Sequence, residues 1–152
     1  MMNKEQKKQY INDMTTQFDK TEAVIVTHYQ GLTVTQLDDL RKKMREHGIK
    51  FKITNNRITK LALEKTKCKE LSDLFSGPTA VALSEDAITS AKILTKFSKE
   101  NENLKILGGI MGTDILDLAG VKNVATLPSL DEARAKIVGI LRSPAQKIAS
   151  IL

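Results

Sequence analysis

The sequence predicts an α+β fold: a two-layer α/β sandwich followed by an amphipathic C-terminal helix. Three observations predict it. Apolar or alternating runs at residues 23–27, 49–54, 79–83 and 104–111 read as three or four short strands. Segments with helical apolar spacing are interleaved between them, the rhythm of a sheet covered by helices. After Leu127-Pro128 the rhythm stops, and one helical stripe continues to the end of the chain.

Each element follows from local chemistry. Residues 3–18 place Tyr10, Ile11, Met14 and Phe18 at near-helical spacing, with Lys4, Lys7 and Lys8 on the first turns. Residues 23–27 are a buried, mostly β-branched strand, and residues 28–32 a loop. Thr33-Val34-Thr35-Gln36 has the form of a capping box, opening a helix whose stripe is Leu37, Leu40 and Met44. Gly48 ends that helix behind the basic turn of residues 41–45, which suits the negative end of the helix dipole. Residues 49–54 alternate, with Ile49, Phe51 and Ile53 on one side and Lys50 and Lys52 on the other. Asn55 or Asn56 caps the next helix, whose Ile58, Leu61 and Ala62 are expected inside and Arg57, Lys60 and Lys67 outside.

The second half continues with a short helix over 70–75, a Ser76-Gly77-Pro78 turn and the strand over 79–83. A helix over 86–100 carries the stripe Ile88, Ala91, Leu94 and Phe97 and leads into the strand over 104–111. Ser129-Leu130-Asp131-Glu132 is a second capping box. Ala133, Ile137, Ile140 and Leu141 follow on one face, Ser143-Pro144 is expected to restart the helix, and Ala145, Ile148, Ala149 and Leu152 extend the stripe.

At 152 residues, 41% hydrophobic and 28% charged, the chain suits one folded domain with at most a small appendage. Its longest apolar stretches, such as Ala23-Val24-Ile25-Val26, fall far short of the ~20 residues of a membrane helix. No apolar segment follows the lysine-rich N-terminus, so no signal peptide is expected and the cytoplasm is the expected compartment. Cys68 has no disulfide partner, and His28 and His47 add too few ligands for a zinc site; no metal and no cofactor are expected.

The net charge of +6 is concentrated rather than spread. Residues 1–70 hold 15 Lys+Arg against 9 Asp+Glu, while residues 71–152 hold 9 of each. Between Arg41 and Lys69 eleven basic residues face only Glu46 and Glu64. Such a run opposes compaction by self-repulsion, and a polyanion relieves it while releasing its own condensed counterions. Nucleic acid is therefore the first expected partner, ahead of an acidic membrane surface. Basic groups from three consecutive elements, the helix before Gly48, the strand after it and the helix after Asn56, are expected to converge.

Catalysis has no visible constellation. Gly108-Gly109-Ile110-Met111-Gly112 lacks the spacing of a dinucleotide loop and the acidic residue that would close such a unit. Cys68 has no nucleophile signature around it, and the acidic pairs Asp38-Asp39 and Glu85-Asp86 lie near helix starts, where they favour the dipole. His28 has no orienting carboxylate in view. An enzyme is not expected, nor a small-molecule substrate. Zinc-finger, leucine-zipper and aromatic RNA-platform signatures are all missing, and six aromatics are too few for base stacking to carry affinity. Phosphate contacts and RNA shape remain.

An ordered series of motifs covers nearly the whole chain. Tyr29-Gln30-Gly31-Leu32-Thr33-Val34, Leu40-Arg41-Lys42 with Gly48, Phe51-Lys52-Ile53 with Asn56-Arg57, and Gly77-Pro78-Thr79-Ala80 come first. Leu104-Lys105-Ile106 with Gly108-Gly109, Leu127-Pro128-Ser129 and Ser143-Pro144-Ala145 complete it. In this order and approximate spacing the chain resembles the family of bacterial large-subunit ribosomal protein ten, the stalk-base protein.

The resemblance implies an α-β plait over residues 1–128 that binds large-subunit ribosomal RNA beside ribosomal protein eleven. It also implies a helix over 129–152 that holds dimers of the acidic stalk proteins seven/twelve, which recruit translational GTPases. The expected RNA-binding residues are Tyr29, Gly31, Arg41, Lys42, Arg45, Lys50, Lys52, Asn55, Asn56, Arg57 and Lys60, and the expected stalk-protein contacts are Ile137, Leu141, Ile148 and Leu152. No membrane is expected among the partners. Two departures stand out. Asn55 precedes Asn56 where the family usually has a basic residue, and the chain stops at Leu152 where the family's terminal helix normally runs on, implying either a truncated chain or a small stalk capacity. The rival readings are a ribosome-assembly or messenger-binding relative of the same domain, and an enzyme built on an α/β sandwich.

Overall fold

The computed structural model describes residues 3–152. Five strands, β1 (Ala23–His28), β2 (Lys50–Ile53), β3 (Thr79–Ser84), β4 (Lys105–Met111) and β5 (Asp114–Asp117), form one antiparallel sheet in the order β2-β3-β1-β4-β5. Six helices accompany it: α1 (Lys4–Lys20), α2 (Val34–Glu46), α3 (Asn56–Leu63), α4 (Ala87–Glu100), α5 (Leu118–Thr126) and α6 (Leu130–Ile151). The segment expected as a short helix is a 3-10 turn, Lys69–Leu74.

The sheet order explains the helices. β1 and β2 both run antiparallel to β3, which lies between them, so β1–α2–β2 is a crossover around an inserted strand. β3–α4–β4 repeats the device across β1. Both crossover helices lie on one face, where Leu40, Met44, Ala91, Leu94 and Phe97 pack with Ile25 and Ala82. That half is the predicted two-layer sandwich. The opposite face is also covered: Met14 and Phe18 of α1, Ala62 and Leu63 of α3, and Leu71 and Phe75 pack on Val24, Val26, Val81 and Leu83. Alternate residues of β1 and β3 therefore enter two different cores, which is why both strands read as continuous apolar runs.

The capping boxes predicted at Thr33 and Ser129 are formed, and α1 has a third at Asn3. Several expectations are corrected. Leu61 is half exposed, and Thr59 and Leu63 take the inward positions with Ile58 and Ala62, because those four form the side of α3 turned to α1 and the sheet. β5 and α5 are two elements that the apolar patterning does not predict. Met111 pairs with Asp114 across Gly112 and Thr113, with Gly112 at φ +64°, the first-position glycine of a tight two-residue hairpin. Pro144 does not restart the last helix but lies inside it. Proline removes the N–H that would reach the Ile140 carbonyl and crowds that carbonyl with its ring, yet the helix runs through, on a stretch where Ile140 and Leu141 are exposed.

The Gly108-Gly109 pair has a packing role. A Cβ on Gly109 would lie 2.5 Å from the Val24 carbonyl oxygen and one on Gly108 2.6 Å from that of Leu116, so β4 needs both glycines to fit between β1 and β5.

Candidate nucleic-acid interface

β2 is an edge strand, and its turn from α2 brings sequence neighbours together in space. The helix ends at Gly48, whose φ of +71° lets the chain reverse, and Ile49 then enters the core beside Met44. Arg41 and Arg45, one turn apart on α2, come beside Lys50 and Lys52 of β2 around a groove of about 380 Å³. Ile49 and Phe51 complete its lining, which thus includes four basic residues and no carboxylate. An edge strand guarded by lysines is protected from pairing with another sheet.

Local partners orient this array. Arg41 reaches the Asp38 carboxylate at 3.2 Å in an exposed pair that holds the guanidinium loosely. Lys43 pairs with Glu100 at 3.6 Å and lies 5.5 Å from the centre of the Phe97 ring, so this cation belongs to the α2–α4 contact. Lys42 and Arg45 enter no ion pair among the described residues, and with Arg41 they line a second, shallow groove of about 610 Å³ along α2 that also holds Asp38 and Glu46. Lys52 Nζ donates to Gln17 Oε1 at 2.9 Å, tying the edge strand to α1. Lys50 meets Gln17 and Lys20 at a further cleft on that side. Gln17 and Lys20 were not expected at the site. Their spacing on the last turn of α1 is a helical ridge, but only the fold brings it to β2.

The remaining expected residues lie elsewhere. α3 packs with α1 on the face opposite α2, and its Arg57 and Lys60 are exposed and line neither groove beside α2. Asn55 caps α3, its Oδ1 accepting from the Arg57 N–H at 3.3 Å. Asn56 is held internally: its Nδ2 donates to the Gly77 carbonyl at 2.7 Å and its Oδ1 accepts from the Thr79 hydroxyl. Tyr29 and Gly31 form the loop after β1, with Gly31 at φ +92° and its carbonyl accepting from Asn103 Nδ2 at 2.9 Å. This loop and the start of α3 share one end of the sheet, since His28 pairs with Thr79 and its Nε2 lies 2.7 Å from the Ser76 carbonyl.

Basic lining residues suit these grooves to an anion. Cys68 is buried, and burial, followed by the charge of Asp19, pushes its thiol pKa up, against a reactive thiolate. No group of three potential metal ligands occurs among the described residues, and no helix there is long and apolar enough to cross a membrane.

The second candidate site is α6. None of its 22 residues is buried, and Ile137, Leu141, Ile148 and Leu152 are 59%, 73%, 60% and 100% exposed. Its first turn is held at α4, where Lys92 Nζ donates to Glu132 Oε2 at 2.5 Å.

Comparison with known proteins agrees with the motif series. Residues 2–99 match the model of the family described as Ribosomal protein L10. The chain is 72% identical over 151 residues to the large ribosomal subunit protein uL10 of Pelagibacter ubique, an alignment covering 99% of this chain and 91% of that relative. It is 47% identical over 150 residues to the protein of that name in Rhodospirillum rubrum, covering 99% and 87%, and 45% identical over 148 residues to that of Brucella canis, covering 97% and 86%.

Proposed function

The chain belongs to the Ribosomal protein L10 family, and from that premise we propose that it forms the base of the stalk on the large ribosomal subunit. Membership makes it a structural, non-enzymatic protein of the large subunit, at work on the cytoplasmic ribosome. In the finer reading, residues 1–128 grip large-subunit ribosomal RNA beside ribosomal protein eleven. Residues 129–152 hold dimers of the acidic stalk proteins seven/twelve, and through them translational GTPases are recruited.

One observation carries this division of labour: the cation-lined groove and the uncovered apolar stripe lie on different elements. Arg41, Arg45, Lys50 and Lys52 can each meet a phosphate, with Lys42 beside them on α2 and Lys20 on α1. Arg57 and Lys60 reach RNA only if it also passes the sheet end near Tyr29 and Gly31, where Asn56 holds the turn rather than contacting a phosphate. The apolar face of α6 needs a hydrophobic groove supplied by a partner.

The test is co-sedimentation with salt-washed large subunits, together with RNA affinity as a function of salt. A subunit component remains at near-unit stoichiometry, and log K falls with log salt at about −0.7 to −0.9 per phosphate contact. A flat salt response would exclude the groove as an RNA site.

A further inference from the structure

Three lysines meet around one neutral side chain at the β2 edge of the sheet. Phe51 packs with the core between the sheet and the helices α2 and α4, so alternation along β2 turns Lys50 and Lys52 to the opposite face, the one α1 covers. There Gln17, on the last turn of α1, lines a cleft of about 120 Å³ with Lys20 and Lys50 and accepts from Lys52 Nζ at 2.9 Å. An ammonium group has protons to give and no lone pair to offer, so the amide presents its oxygen to it. Gln17 and Lys52 are both half-buried, and Lys52 enters no ion pair among the described residues. Glu85 is the one carboxylate in the cleft lining, and it too enters no ion pair among the described residues.

The choice of an amide decides what this contact does. A carboxylate at position 17 would hold Lys52 as an ion pair and cancel its attraction for a polyanion. An apolar side chain would leave the charge but free a long, flexible stem, and the ordering of that stem would then weigh against RNA binding. The glutamine oxygen takes one of the three ammonium protons, fixes the nitrogen and leaves the charge whole, with two donors for a phosphate. Resting on the reading of Lys52 as an RNA contact, we propose that Gln17 is a positioning residue of that site, holding the Lys52 ammonium in place for a phosphate without neutralising it.

The experiment titrates the full chain with a transcript of the large-subunit ribosomal RNA at several salt concentrations, alongside thermal denaturation of each variant. Gln17→Met keeps the length of the side chain and removes the acceptor; it should weaken binding by about three- to tenfold with the salt slope unchanged, since no charge is lost. Gln17→Glu should also weaken binding, and it should lower the magnitude of the slope by about 0.7 to 0.9, the contribution of one phosphate contact. In a chain that already carries Lys52→Met, Gln17→Met should have no further effect on RNA affinity. An effect of Gln17→Met that persists without Lys52 overturns the proposal, because Gln17 then acts on the fold or on RNA directly. An unchanged slope with Gln17→Glu overturns it as well, as does a loss of affinity in either variant that only follows a fall in the unfolding midpoint. The reading beneath it fails separately: if Lys52→Met alone leaves affinity and slope where they were, Lys52 is no RNA contact and Gln17 has nothing to position. If Lys52→Met weakens binding and Gln17→Met does not, the RNA contact stands and the positioning role falls.

Discussion

α1 and α6 are the two longest helices, both amphipathic, and they meet opposite fates. α1 has 17 residues, buries Met14 and Phe18, and packs Tyr10 and Ile11 against the same core. α6 has 22 residues, a richer apolar stripe and no buried residue. The difference is one of available surface. α1 enters the fold before β1 and covers a bare face of the sheet with α3, whereas α6 begins after both faces are occupied. Periodicity therefore measures how much apolar surface a helix offers, and topology decides whether its own domain can accept it. An unaccepted stripe of this kind is a surface that a partner can cover.

The largest test of this comparison removes residues 130–152. Recruitment of stalk-protein dimers should vanish, while RNA binding and the unfolding midpoint of the remainder stay where they were, read by native gel shift, RNA titration and thermal denaturation. Unfolding of the remainder would show that α6 belongs to the core after all and would break the contrast.

Single truncations sharpen it. Phe75 is fully buried under α1 and α3, so Phe75→Ala should cost about 3–5 kcal/mol of stability through lost burial and a cavity. Leu141, 73% exposed, should change stability by no more than about 0.5 kcal/mol when replaced by Ala. Urea unfolding of both variants gives the ratio directly; equal losses would mean that α6 is packed in solution.

A smaller effect concerns the charged turn. Arg45 shares its groove with Arg41, Lys50 and Lys52 and enters no ion pair among the described residues. Arg45→Glu should weaken RNA binding by about tenfold and lower the magnitude of the salt slope by about one, whereas Lys99→Glu should leave both unchanged. Equal losses from the two substitutions would show that overall charge governs affinity and not this groove.

Legibility in the sequence followed the same divide between local and non-local causes. The capping boxes at Thr33 and Ser129, the Gly48 stop and the lysines alternating on β2 are all set by neighbours within a few residues, and all are found in place. The pairing of α2 with β2 was readable because one glycine turn joins them. Gln17 and Lys20 were not readable, since about thirty residues separate them from Lys50. Arg57 and Lys60 extend the same basic run, yet a charge run carries no record of which sheet face its helix covers, and α3 covers the face opposite α2. β5 escaped because only Ile115 and Leu116 lie between two aspartates, and α5 because Gly120 interrupts its start.

The smallest expected effect lies where the two regions join. Glu132 Oε2 accepts from Lys92 Nζ at 2.5 Å and from the Ser129 N–H at 3.1 Å, fastening the first turn of α6 to α4. The hydrogen bond from Lys92, and after it that from the Ser129 N–H, holds the Glu132 pKa below the ordinary carboxylate value. A carboxylate with a depressed folded pKa stabilises the docked arrangement above its unfolded pKa and loses that contribution as pH falls through the folded value. The fastening is thus complete at neutral pH and released only in acid, and because the pair is exposed, salt weakens it as well. Lys92→Ala should release the first turn at every pH, widening the distribution of α4-to-α6 distances measured between paired spin labels without moving the unfolding midpoint. The unaltered chain should reach that same broad distribution only below the ordinary carboxylate range. A distribution that stays narrow in both cases would mean that the Leu127-Pro128 corner, and not this ion pair, sets the direction in which α6 leaves the domain.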